Sequence, residues 1–421
     1  MGKIPAVAVS ADRPAALERA RLRMGKLFAP NQVLGRRNSI GCVALEITQR
    51  CNLDCTLCYL SENSERVKDL PLPEVFRRID GIRERFGAPT AVQITGGDPT
   101  LRAPDELVAI VRYTRDAGLL PTLMTNGIKA TRGMLESLAD AGLNDVAFHV
   151  DLTQERKGYA TEASLNSVRD EYIDRARGLA IAVIFNTTVC RENFEEIPDL
   201  VRFFRRRADV VGMASFQLQA DTGRGVLRER DRVISLESVR EQIGAGAETP
   251  ISWDTIRIGH PGCHRIGITL EANGNLYDLN DDPAFFNRFL HDFQHVMLDR
   301  RDPRGAVAAL LSEAARHPSW LARTVRFFGP KLWRMRRDLL ASRGRVHKLS
   351  FFVQNFMDAS NLDPERIHAC SFMVMTANGP ISMCAFNARR DEFILKPVAL
   401  ETAEGRSVWN PLSGKTLPAL Q

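Results

Sequence analysis

The stretch Val43-Ala44-Leu45-Glu46-Ile47-Thr48-Gln49-Arg50-Cys51-Asn52-Leu53-Asp54-Cys55-Thr56-Leu57-Cys58-Tyr59 decides how this chain reads. Its first six residues form an apolar, β-branched run of strand length. Three cysteines follow at once, spaced C-x3-C-x2-C, within eight residues. A cubane [4Fe–4S] cluster has four irons and normally four thiolates. Three thiolates in one tight loop hold three irons and leave the fourth open, by the logic that leaves a catalytic zinc one unfilled position. Zinc is the rival occupant and an inert loop the plain alternative. Structural zinc wants four ligands, and no fourth Cys or His stands nearby in sequence.

Outward from this loop the chain keeps a rhythm. A helix is expected near 73–85, then a strand Ala91–Thr95 ending in Gly96-Gly97-Asp98-Pro99. The next helix starts at Pro104, with Asp105 and Glu106 in its first turn and Leu107, Ile110 and Val111 on one face. A strand from Leu120 to Thr125 ends at Asn126-Gly127, and Thr131 is the expected N-cap of the helix after it. Strands over Val146–Val150, Ile181–Val189 and Val210–Leu218 alternate with helices near 163–178 and 197–204. Six strand–helix units imply parallel strands with right-handed crossovers. Six fall short of the eight in a closed barrel. The fold class expected is therefore α/β, a partial (βα)6 TIM-like barrel over 41–221, preceded by a basic helix and lead-in (1–40).

Past residue 222 the rhythm breaks, and residues 222–250 read as charged and connective. Two segments then echo each other, Cys263 followed by Ile268–Tyr277 and Cys370 followed by Met373–Cys384. Each sets Asn-Gly between apolar stretches, a hairpin signal. Residues 222–421 thus read as an α+β extension bearing cysteine hairpins, with a basic helical insertion over 303–348. From Arg316 to Lys348 there are ten Lys or Arg and one acid, Asp338. That segment suits a membrane interface or a solvated helix packed on the barrel. It contains no nucleic-acid recognition motif, and no nucleic acid is expected as a partner.

Composition agrees with a globular chain: 421 residues, 44% hydrophobic, 26% charged, net charge +6. No apolar run is long enough to span a bilayer, and the first residues lack a secretory pattern. The expected location is the cytoplasm, where eight cysteines are thiols or metal ligands rather than disulfides. Cys42 and Cys190 read as structural residues within strands.

The triad with Leu57 in its apolar slot, directly after a first strand, resembles the radical S-adenosylmethionine (SAM) superfamily. The resemblance covers about residues 41–220. It implies a [4Fe–4S] cluster on Cys51, Cys55 and Cys58, with SAM chelating the open iron. One-electron cleavage would give a 5′-deoxyadenosyl radical that abstracts hydrogen from substrate, with electrons from a donor such as ferredoxin or flavodoxin. Gly96-Gly97-Asp98 matches the family's glycine-glycine-acid motif, with Asp where Glu is commoner. Leu57, Tyr59, Gly96, Gly97, Asp98, Asn126, Asp151 and Asn186 are the candidate SAM contacts, mostly at strand C-terminal ends. No catalytic residue is assigned.

The C-terminal half is similar to the dihydropterin dimethyltransferase and tetraether lipid synthase group. The matching stretches are His260-Pro261-Gly262-Cys263, Phe356-Met357-Asp358 and Cys370…Cys384-Ala385-Phe386-Asn387. Those relatives carry further cysteines absent here. Cys263, Cys370 and Cys384 are candidates for a second iron–sulfur or metal centre with a fourth ligand from His264, Asp278 or Cys190, against the alternative of buried free thiols. The resemblance implies alkylation, methylation or C–C bond formation on a lipid, pterin or similar small molecule, with peripheral membrane contact compatible. A radical SAM peptide-modifying enzyme and a non-catalytic zinc scaffold are the alternatives.

Overall fold

The computed structural model describes residues 11–224, 234–296, 303–317, 319–402 and 405–418. After α1 (Arg13–Met24) the alternation runs β1 (Cys42–Thr48), α2 (Leu72–Phe86), β2 (Ala91–Gly96), α3 (Pro104–Asp116), β3 (Leu120–Thr125), α4 (Arg132–Asp140), β4 (Asp145–His149), α5 (Asn166–Ala176), β5 (Ala182–Val189), α6 (Ile197–Arg205) and β6 (Val211–Leu218). β1 to β6 pair in parallel, each with the next. The expected partial TIM-like barrel is what forms. Val43, Leu45 and Ile47 of β1, with Val92, Ile94, Leu123, Val146 and Phe148, lie wholly buried in one core. Thr131 caps α4, its side chain accepting from Met134 N.

The second half follows as α7 (Leu236–Ala247), β7 (His264–Ala272), β8 (Asn275–Asp278), α8 (Pro283–Asp292), α9 (Pro303–Arg316), α10 (Ser319–Ala341), β9 (His347–Asn355), α11 (Pro364–His368), β10 (Phe372–Thr376), β11 (Gly379–Ser382) and α12 (Met383–Ala388). Its strands add to both edges of the barrel sheet, giving the order β11-β10-β1-β2-β3-β4-β5-β6-β9-β7-β8. β12 (Val398–Thr402), β13 (Gly405–Trp409) and β14 (Thr416–Pro418) form a small separate sheet. Both hairpins form, β7–β8 and β10–β11. The first turns through Asn273 and Gly274, both at positive φ as a tight two-residue turn requires.

Three features differ from expectation. Residues 222–250 are not merely connective, because α7 lies among them. A reciprocal Ser235–Ser238 capping box starts it, and Leu236, Val239, Ile243 and Ala247 are buried. β9, which no sequence signal had marked, buries Leu349, Phe351 and Val353 in alternation and pairs in parallel with β6. Cys384 lies in the first turn of α12 rather than in a strand, and Cys190 lies just beyond β5.

The two edges of the sheet meet. His264 Nε2, on β7, lies 2.7 Å from Ser371 Oγ, just before β10. Gln32, fully buried, stitches the same seam from the N-terminal lead-in: its Nε2 donates to the Gly259 carbonyl at 3.1 Å, and its Oε1 accepts from Gly259 N at 2.9 Å.

Candidate active site

The cysteine loop hangs over the C-terminal ends of the barrel strands, where barrel enzymes place their chemistry. A register shift in β1 between Glu46 and Thr48 turns the chain out of the sheet. The loop is then pinned from four strands. From the end of β2, Gly97 N donates to the Thr48 carbonyl at 3.0 Å and Asp98 N to the Arg50 carbonyl at 2.7 Å. From beyond β3, Asn126 Nδ2 donates to Asn52 Oδ1 at 2.7 Å and lies 3.9 Å from Cys51 Sγ. Beyond β4, the Thr153 carbonyl accepts from Thr56 N at 2.8 Å, and beyond β6, Arg224 N donates to the Leu60 carbonyl at 2.6 Å.

Gly96 and Gly97 serve this loop directly. Gly96 has φ +124°, and a Cβ there would sit 1.8 Å from the Thr48 carbonyl oxygen. A Cβ on Gly97 would sit 2.0 Å from the Arg50 carbonyl oxygen. Only glycine lets the end of β2 lie flat against the base of the loop. The space beside both glycines is filled by the chain's own backbone.

Asp98 is buried. It caps the short turn Pro99–Leu101 through Thr100 N, and it accepts from Thr125 Oγ1 and from Asn126 N at 2.9 Å. Asp151 is likewise fully buried. Its Oδ1 accepts from Thr153 N and Oγ1, and its Oδ2 accepts from Thr188 N and lies 2.6 Å from His149 Nε2. Both carboxylates are engaged by protein donors at both oxygens, so each holds the backbone that aims the neighbouring side chains. Asn186 Nδ2 lies 3.4 Å from His149 Nδ1. Burial opposes charge on both His149 and Asp151. Their mutual attraction outweighs it, holding His149 above and Asp151 below their ordinary values.

Tyr59 donates its hydroxyl to the Gly96 carbonyl at 2.6 Å. The Arg390 guanidinium stacks on its ring, 4.8 Å from the centroid. Arg390 also forks onto Glu46, Nη1 lying 2.7 Å from both carboxylate oxygens, in a pair that is almost wholly buried. A C-terminal residue thus props the loop from behind. Leu57 is half-buried within the loop.

The three thiols are half-buried. Burial pushes Cys55 well up, and Asp151, Cys58 and Cys51 add to the rise. Burial raises Cys51 too. Thiols so placed resist ionisation unless a cation offsets the charge, as iron does. Arg224 supplies one positive charge beside Cys58, with Glu65 at 2.9 Å and Asp54 at 3.3 Å from its two terminal nitrogens. Among the described residues no three Cys, His, Asp or Glu side chains converge on a single-ion site. A cubane spreads its thiolates over separate irons, and a half-buried loop of three thiols fits that donor set.

Cys263, Cys370 and Cys384 come together at the seam, each within electrostatic reach of another. Burial pushes Cys370 up to about 12, with Cys384 and Cys263 contributing. Cys263 Sγ lies 3.3 Å from Arg366 Nε, and Cys384 Sγ accepts from Met357 N at 3.4 Å. Of the suggested fourth ligands, His264 borders this group, with its Nδ1 buried and lacking a hydrogen-bond partner. Cys190 does not: it lies at the end of β5 within reach of Glu192 and Asp151. Asp278, at the end of β8, accepts from Ser252 N and Asn280 N.

Arg224, Arg366 and Arg390 escaped sequence reasoning. Each is one arginine among many, and only the fold gives it a partner. A cavity of about 510 Å³ opens on the same rim, lined by Leu218, Gln219, Gly262, Arg265, Asn355 and Arg366 among others.

Residues 45–204 match the family model described as the radical SAM superfamily. The chain is 29% identical over 186 residues to a 7,8-dihydro-6-hydroxymethylpterin dimethyltransferase of Methanocaldococcus jannaschii, covering 43% of this chain and 36% of that protein. It is 31% identical over 163 residues to a PqqA peptide cyclase of Bradyrhizobium diazoefficiens, covering 38% and 42%. It is 34% identical over 163 residues to a probable GTP 3′,8-cyclase of Pyrococcus abyssi, covering 38% and 51%. The chain spans between about a third and a half of the length of these relatives. With the cysteine loop seated at the mouth of a six-stranded parallel barrel, residues 45–204 carry the radical SAM domain that these matches describe.

Proposed function

We infer that this chain holds a [4Fe–4S] cluster on Cys51, Cys55 and Cys58 and cleaves SAM to modify a small organic substrate at carbon. When bound, the cluster and SAM supply the hydrogen-abstracting radical; the protein supplies position and exclusion of water. The observation that carries this reading is the loop itself, three half-buried thiols pinned by the ends of β2, β3, β4 and β6. Leu57, Tyr59, Asn126 and Asn186 form the rim that would meet the cofactor, and Gly96 and Gly97 seat the end of β2 against the base of that rim. Asp98 and Asp151 are positioning residues that fix that rim. Alkylation, methylation or C–C bond formation on a pterin, lipid or similar metabolite is the preferred reaction class. The cavity is lined by Arg366, Gln219 and Asn355 and by Arg265, which pairs with Asp254 at 3.2 Å, and it suits a polar substrate. The seam cysteines would hold a second cluster beside it, with His264 the favoured fourth ligand.

A second reading, peptide modification, draws on the likeness to PqqA peptide cyclases. Anaerobic reconstitution with iron and sulfide, then SAM and dithionite, tests the shared core. 5′-Deoxyadenosine should form, and formation should depend on Cys51, Cys55 and Cys58 but not on Cys42. A colourless, zinc-loaded protein that leaves SAM intact would overturn both readings.

A further inference from the structure

The hairpin of α9 and α10 takes no part in the site, and its surface is unlike the rest of the molecule. Of the twelve large hydrophobic residues exposed among the described residues, seven lie on it: Val307 and Leu311 on α9, and Leu321, Val325, Leu332, Trp333 and Leu340 on α10. They are not scattered. On a helix of 3.6 residues per turn, Leu321, Val325 and Leu332 fall on one line, with Leu340 and Trp333 beside them. Continuing round α10, the next row is Arg326, Arg337, Arg323 and Arg334, all exposed. The remaining side carries Phe327, Trp320, Lys331 and Met335, which are buried. Arg336 lies within the apolar side, its guanidinium 4.3 Å from the Trp333 ring centroid.

The buried side fixes this orientation. Phe285 of α8 stacks on Phe327 at 3.9 Å, and Phe293 meets Trp320 edge-on at 4.7 Å. Lys331 pairs with Asp281. Asp338 accepts from Asn273 and Asn275 in the β7–β8 turn and from Tyr277. Glu313 turns inward onto His295, Arg316 and His317. These two are the sole acids in 303–341, so among the described residues no free carboxylate faces outward on the hairpin. Arg323, Arg326 and Arg337 face no carboxylate partner among the described residues. Arg334, the fourth of the row, pairs with Asp281 at 3.4 Å. An outward apolar stripe bordered by three arginines without a carboxylate partner among the described residues complements an anionic bilayer surface: the stripe enters the headgroup boundary and the arginines meet phosphates. No helix among the described residues is long and apolar enough to cross a membrane, so the contact is in plane.

We propose that α9 and α10 form a docking face that seats this protein on anionic lipid membranes. This stands apart from the chemistry assigned to the barrel and holds whether or not SAM is cleaved. The chain carries its own reporter: Trp333 is 68% exposed, while Trp253, Trp320 and Trp409 are buried. The full chain is titrated with vesicles of phosphatidylcholine alone and of phosphatidylcholine mixed with phosphatidylglycerol, read by co-sedimentation and tryptophan emission. Binding and a blue shift are expected on the anionic vesicles only, weakening as salt rises. Leu321→Glu with Leu332→Glu should abolish binding, while Arg326→Gln and Arg337→Gln should each weaken it roughly fivefold. All four positions are exposed, so the thermal melt should not move. The proposal is overturned by wild-type protein that leaves anionic vesicles unbound, or by binding indifferent to these variants. A blue shift that appears without vesicles as protein concentration rises would instead assign the face to a second copy of the chain.

Discussion

Two groups of three cysteines make an instructive pair. Cys51, Cys55 and Cys58 are neighbours in sequence, and four strand ends hold their loop in place. Cys263, Cys370 and Cys384 come from the approach to β7, the approach to β10 and the first turn of α12, and they meet only because the sheet's two edges close on each other. The first group is a local motif that the barrel positions. The second exists only once the barrel has folded. The first should survive loss of the second, and the reverse should hold only for structure.

The largest effect should come from Cys55→Ala, which leaves too few thiolates at the mouth. Cluster iron and 5′-deoxyadenosine formation should both vanish, while Cys42→Ala keeps both. Glu46→Ala comes next. It strips the partner from a buried guanidinium that also backs Tyr59, and it should cost about 3–5 kcal/mol in a urea melt. Since Arg390 joins the C-terminal half to the loop, a loss well under 1 kcal/mol would break the link drawn here between the two regions. Gly97→Ala forces Arg50 and the base of the loop to shift, so SAM cleavage should fall by roughly tenfold or more with little change in the seam cysteines. Cys384→Ala should leave SAM cleavage close to wild type while lowering iron content and product formation; equal loss of cleavage would merge the two groups into one site.

The smallest effect concerns His149 and Asp151. The folded state raises His149, so its contribution to stability is complete below about pH 6.5, the ordinary histidine value, and is lost as pH climbs through the raised one. Asp151 is lowered, so its share is present above about pH 3.9 and lost as pH falls through the lower value. Thermal melts across pH 5–9 should therefore show a decline that His149→Gln flattens.

Much of the first group was legible because its signals are local. The run from Val43 to Thr48, the cysteine spacing and the alternation through Leu218 each lie within one window of sequence. β9 was not, because Leu349, Phe351 and Val353 follow a long basic helix and gain meaning only beside β6. α7 could have been found from Ser235, Ser238 and the apolar positions Leu236, Val239 and Ile243, a capping pattern set in a charged segment. Glu46 and Arg390 stand 344 residues apart, and no periodicity connects them. The cysteine seam is beyond local reading for the same reason: the spacing of Cys263, Cys370 and Cys384 records hairpins, while their meeting depends on how far the sheet curls. Asp98, expected from its motif as a cofactor contact, meets four protein donors that make it a brace for Thr125 and Asn126.

The most direct test uses a chain in which Cys263, Cys370 and Cys384 are replaced by alanine, so that only the loop at the mouth can carry a cluster. Reduced anaerobically, it should give an electron paramagnetic resonance signal of a [4Fe–4S] cluster that shifts when SAM is added and disappears when Cys51, Cys55 and Cys58 are also replaced. A signal indifferent to SAM, or one that persists without those three thiols, would contradict the account.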